Sequence, residues 1–187
     1  MSPRVWLITN CSSEFGEDVV LRAAARGDRV IATDPDPATI EHLKGDNIYT
    51  LGLDISESQA DINQAVAKAF HVFNKIDTLV INAGDIHGGL MEHVRYTDPG
   101  MTRKGHGANS SFHSKGEWIG VYLTNMVGTV RLTRAILPYF RYKQSGTVVF
   151  MGSRSSWVGD FGATPSWATE FATEGKLKTT LPLNYLY

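Results

Sequence analysis

Ser166 and Glu170 are four residues apart in a segment with helical character, Thr164–Lys176, so the two side chains meet on one helix face. A carboxylate beside a hydroxyl in a cleft is a candidate general base. On an open helix surface the same glutamate would only be solvated. Four of the six histidines, His87, His93, His106 and His113, fall between Asp85 and Gly116. Their separations of 6, 13 and 7 match no standard zinc pattern, so no metal is expected. His93 is the loop histidine carried forward as a proton-transfer group. Tyr96 and Asp98 share its loop. Cys11 stands where a helix begins, which can lower a thiol pKa; a small buried filler is the competing reading.

These residues need a frame, and the hydrophobic pattern supplies one. Val5–Thr9, Arg29–Asp34, Ile48–Leu53, Thr78–Ile81 and Thr147–Met151 are short apolar runs that read as buried strands. Between them, Phe15–Arg26 reads as a helix closed by Gly27, and Ala38–Lys44 as a short helix. Ser56-Glu57-Ser58-Gln59 has the form of a capping box, followed by Ile62, Val66, Ala69, Phe70 and Phe73 at helical spacing. Trp118–Tyr142 reads as a long helix with a stripe of Val121, Val127, Val130 and Ala135. Strands alternating with helices predict an α/β fold: a doubly wound parallel sheet of about five strands, with ligands at the strands' carboxyl ends. The chain is expected to be one domain over residues 1–187, with a long inserted loop at 85–116.

The 187 residues are 42% hydrophobic and 20% charged with a net charge of −1, an ordinary globular composition. No basic run suggests nucleic acid, no apolar run approaches a membrane span, and Val5–Thr9 is too short for a signal peptide. With one cysteine and no internal disulfide, a cytoplasmic location is expected.

Five pieces in order carry a family resemblance: Thr9…Gly16 between strand and helix, Leu53-Asp54, Asn82-Ala83-Gly84, Asn125 in L-T-N-M-V-G-T, and G-T-V-V-F-M-G-S leading to Ser153. The chain resembles the short-chain dehydrogenase/reductase family over essentially its whole length. That implies a Rossmann-like sheet, nicotinamide-dependent redox chemistry and a catalytic Asn, Ser, Tyr and Lys. Asn125 and Ser153 occupy the first two positions. The Tyr and Lys positions, set by Ala168-Thr169, hold Ser166 and Glu170. A serine hydroxyl is too weak an acid to replace the phenol, and Glu170 inverts the charge that would depress its pKa. Tyr139 and Lys143 have the right spacing, but precede the fifth strand and read as a decoy at the other end of the sheet.

The first-turn motif, T-G-x-x-x-G-x-G in the family, reads Thr9-Asn10-Cys11-Ser12-Ser13-Glu14-Phe15-Gly16. Asn10 tolerates positive φ. Glu14 would oppose a diphosphate by roughly 4 kcal/mol at 4 Å and an effective dielectric of 20, about a thousandfold in affinity, unless it swings into water. Asp34, Asp54, Asn82 and Gly84 would still frame a vestigial adenosine pocket. The resemblance further implies strands beyond the fifth, so the sheet is expected to be truncated after the helix that follows strand five. Leu177–Tyr187 or a second subunit would then cover the apolar edge.

The function expected from these losses is a redox-inactive, cofactor-independent enzyme of isomerase, cyclase or lyase type on a small organic, natural-product-like substrate. Glu170, Ser153, Asn125, Ser166 and His93 would form its site, with Trp157 and Trp167 as an apolar wall. The alternatives are a non-catalytic pseudoenzyme serving as a scaffold and a residual NAD-dependent oxidoreductase. The expected partners are a small-molecule ligand and a second copy, in a homodimer or higher homo-oligomer formed through the long helices or the fifth-strand edge.

Overall fold

The computed structural model describes residues 2–84, 86, 118–159 and 164–179. Strands β1 (Val5–Ile8), β2 (Arg29–Asp34), β3 (Ile48–Gly52), β4 (Thr78–Ile81) and β5 (Thr147–Phe150) form one sheet. The order is β3-β2-β1-β4-β5 and every pairing is parallel. The chain moves outward from β1 in one direction through β2 and β3, then returns to β1's other side with β4. The switch point therefore lies between β1 and β4, where such sheets open a crevice at their carboxyl ends.

Helices cover both faces because alternate strand residues point opposite ways. Val5, Leu7, Ile31, Leu79 and Ile81 pack with α2 (Gln59–Phe73) and α4 (Thr129–Lys143). Ile8, Val30, Ala32 and Val80 pack on the opposite face with Val20 and Ala23 of α1 (Glu14–Ala25). Gly27, at φ +83°, ends α1 in the left-handed conformation expected of a C′ glycine. A 3₁₀ segment, Pro37–Leu43, stands where a short helix was expected.

Two local readings are corrected. The N-cap of α2 is Ser58, whose hydroxyl accepts from the Asp61 amide. Ser56 lies outside the helix, because its hydroxyl and amide both donate to Asp54. The long helix is also not uniform. The short α3 (Trp118–Tyr122) runs into a π-helical segment, Leu123–Gly128, before α4. The wider π turn resets the helical phase. Leu132, Ala135, Ile136 and Phe140 consequently face the core, while Val130, part of the expected stripe, is exposed.

At the amino ends of the strands, Asp77 accepts from the Val5 amide at 2.9 Å and pairs with Lys75 and Lys143. Lys143 thus belongs to the end opposite the switch point, and Tyr139 stacks on Phe70 at 4.9 Å between ring centroids. Partial burial would raise the Asp77 pKa, but Lys143, the Val5 amide and Lys75 together hold it below the usual carboxylate range. A depressed carboxylate contributes stability above its unfolded pKa and loses it as pH falls through the folded value. Asp77→Asn should therefore cost about 1 kcal/mol in urea unfolding at neutral pH, the low end for a charge-assisted bond because the site is partly screened. The difference between wild type and variant should shrink as the pH drops below the carboxylate range.

Candidate functional site

The crevice is built on the turn between β1 and α1. After β1, Asn10 adopts φ 56°, which asparagine tolerates at low cost. Ser13 caps α1: its hydroxyl accepts from the Gly16 amide at 3.1 Å and donates to the Asn10 carbonyl at 2.8 Å. The helix comes so close to the turn that a Cβ on Gly16 would lie 2.3 Å from the Asn10 carbonyl oxygen and 2.8 Å from the Asn82 amide nitrogen. Glu14 and Glu17 occupy the helix's first turn, where their charge suits the dipole. Glu14 is exposed, so solvent screens it.

Asn82, leaving β4, ties the two sides of the switch point together. Its side-chain amide donates to the Asn10 carbonyl and the Ser13 hydroxyl, both at 3.1 Å. The Thr9 hydroxyl accepts from the backbone amides of Asn82 and Ala83, each at 3.0 Å. Gly84 follows beside the Asn125 side chain. Asp34, only 5% exposed at the end of β2, accepts from the Ser12 amide with one oxygen and from the Asp36 amide and Thr39 hydroxyl with the other. A carboxylate offers about four acceptor positions, and three of those on Asp34 are taken among the described residues. Asp54 stands apart from Asp34 in role, receiving the Ser56 amide and hydroxyl.

Cys11 is a buried filler. Its thiol donates to the Ile8 carbonyl, and burial pushes its pKa up to about 12, with Asp34's charge acting in the same direction. The helix start does not make it reactive, because the thiol is fully buried.

On the other side of the crevice, helix α5 (Thr164–Thr179) meets the loop after β5. Asn125, buried in the π turn, donates to the Thr169 hydroxyl at 3.1 Å, and that hydroxyl donates to the Ser166 carbonyl. Glu170 accepts from the Ser153 amide at 3.2 Å and from the Ser156 hydroxyl at 3.1 Å. Ser153 caps the 3₁₀ turn Arg154–Ser156, its own hydroxyl exposed and 3.0 Å from that of Ser155. The structure therefore brings Glu170 and Ser153 together, sets Asn125 beside the helix carrying Glu170, and buries Ser166. The sequence reading gave no site role to Ser156 or Thr169; Ser156 is buried directly after Ser155 with no motif marking it. Trp157 is largely exposed, and the Trp167 indole nitrogen is buried without a partner among the described residues. His93, with His87, His106, His113, Tyr96 and Asp98, lies outside the described residues, as does the end of the segment expected to cover β5. Among the described residues there is no cluster of metal-binding side chains and no helix long and apolar enough to cross a membrane.

The family model for short chain dehydrogenases matches residues 4–180. The chain belongs to that family. It is 31% identical over 174 residues to the NADP-dependent 3-hydroxy acid dehydrogenase YdfG of Escherichia coli K12, covering 89% of this chain and 62% of that protein. It is 27% identical to the uncharacterized oxidoreductase YusZ of Bacillus subtilis, covering 94% of this chain and 58% of that one. Among solved structures it is similar to the 3-ketoacyl-(acyl-carrier-protein) reductase of Brucella melitensis complexed with NADH, with a TM-score of 0.76, 27% identity, and coverage of 92% and 66%. The chain thus spans about six-tenths of the length of these curated relatives. These relatives are named as dehydrogenases, reductases and oxidoreductases, which overturns the expectation of a redox-inactive isomerase, cyclase or lyase. That expectation weighed two substituted side chains above the retained frame around Gly16 and Asn82.

Glu170→Ala would strip the partner from the buried Ser156 hydroxyl. It should lower unfolding stability by about 1–3 kcal/mol, with Glu170→Gln costing less because it keeps one acceptor oxygen. Equal stability of wild type and Glu170→Ala in urea titration would refute the bracing role.

Proposed function

We propose that the protein is an NAD-type oxidoreductase whose dinucleotide frame is better preserved than its proton relay. Asp34 carries this reading: a buried carboxylate closing β2, three of its about four acceptor positions taken among the described residues, beside the turn that Gly16 and Asn82 hold in place. The Gly16 contact tests the fit, since the turn tolerates no side chain there and keeps α1's amino end against the strand ends. Asp34 would accept from a ribose hydroxyl and repel a 2′-phosphate, which favours NAD even though YdfG is named NADP-dependent. Glu14 weakens diphosphate binding less than a buried charge would. For exposed charges the cost at 4 Å falls toward 1 kcal/mol, about fivefold in affinity.

When bound, the nicotinamide supplies the hydride acceptor for an alcohol or the donor for a carbonyl. The Ser153 hydroxyl, exposed and held by its 3₁₀ turn, is the donor for a substrate oxygen. With Ser166 at the position that resembles the family's tyrosine, that position supplies a weakly acidic hydroxyl in place of a phenol, which slows proton transfer. Glu170 holds the Ser153 backbone in place and is a positioning residue.

Calorimetric titration of the full chain tests this. NADH should bind at least about fivefold more tightly than NADPH, and Glu14→Gly should tighten NADH binding by about fivefold. Binding of neither dinucleotide, or a preference for NADPH, would overturn the reading.

A further inference from the structure

The sheet's other end holds a cavity that the dinucleotide reading does not use. It measures about 440 Å³ and opens to solvent between the amino ends of β1, β4 and β5. Arg4, Lys75 and Lys143 line it with a single carboxylate, Asp77, leaving a net of two positive charges. Ser145 and Thr147 complete the lining. We propose that this cleft binds the phosphate group of a small molecule.

Asp77 already shows how the site treats an oxyanion. Lys75 reaches one of its oxygens at 3.0 Å and Lys143 the other, while the Val5 backbone amide donates as well. Both lysine side chains are only about a third exposed, at 36% and 37%, so their charges act in a partly desolvated wall rather than in bulk water. Lys75 is further fixed by donating to the Pro3 carbonyl at 2.9 Å. Arg4 differs from the lysines. Its side chain is exposed and forms no ion pair among the described residues, so its planar fork is free to grip a phosphate with two parallel bonds. One carboxylate cannot neutralise three cations, and a phosphate dianion balances the remaining charge. The cavity is several times larger than a phosphate group, which leaves room for a small polar carrier. Its lining offers little apolar surface to hold an aromatic or lipid ligand.

Inorganic phosphate is the probe, titrated into the full chain against sodium chloride at matched ionic strength, with backbone amide NMR as the readout. Saturable shifts should appear at Ser145, Gly146 and Thr147 with phosphate and not with chloride. Arg4→Gln should weaken the phosphate affinity by about tenfold while leaving the melting temperature unchanged. Lys75→Gln should weaken it too, which covers the case in which Arg4→Gln disturbs the amino-terminal strand. The proposal fails if the shifts are confined to the Ser12–Gly16 turn, if chloride reproduces them, if phosphate produces none, or if neither substitution changes the affinity.

Discussion

The approach of helix α1 to the end of β1 constrains everything at the carboxyl edge of this sheet. Gly16 sits where any side chain would strike the Asn10 carbonyl and the Asn82 amide. Because it has none, the Asn82 side chain can reach across from β4 and donate to both the Asn10 carbonyl and the Ser13 hydroxyl. Thr9 completes the tie by accepting two backbone amides from the β4 exit. The two halves of a doubly wound sheet diverge at this point, so their loops would otherwise leave polar groups unpaired. Bonding them to each other ties the exits of β1 and β4 together, and the Ser12 amide of the same turn bonds Asp34.

The opposite wall is organised by different means. Asn125, within the π turn, donates to the Thr169 hydroxyl, and Glu170 gathers the Ser153 amide and the Ser156 hydroxyl. A carboxylate here braces the loop after β5. A lysine would have presented a charge of the other sign and could accept from neither group. The Glu170 carboxylate is thus absorbed into the local hydrogen bonding of this loop.

The strands were legible because buried parallel strands appear as uninterrupted apolar runs, and Asp34 marked the end of β2 within them. Cap and turn residues were only partly legible. Ser56 and Ser58 are chemically equivalent, and the choice of Ser58 as cap depends on Asp54 engaging Ser56. The π segment at Leu123–Gly128 has no periodic signature, so the buried face of α4 was displaced from the stripe suggested by Val130. Asn82 was recognisable as part of a motif, yet its bonds to Asn10 and Ser13 join residues 69 and 72 positions apart and arise only in the folded chain. The cationic cleft around Asp77 was invisible for the same reason: Arg4, Lys75 and Lys143 converge from three separate segments.

The two ends of the sheet carry opposite electrostatic tasks. At the carboxyl end, Glu14 and Asp34 bring negative charge to the α1 turn and the end of β2; at the amino end, three cations and one carboxylate line a cleft. The central claim concerns the first of these. A crystal structure of the protein grown with NADH tests it most directly. The account predicts the dinucleotide across the Ser12–Gly16 turn, with an adenosine ribose hydroxyl donating to Asp34. A crevice closed by protein side chains with the dinucleotide absent, or NADH lodged elsewhere on the molecule, would contradict it.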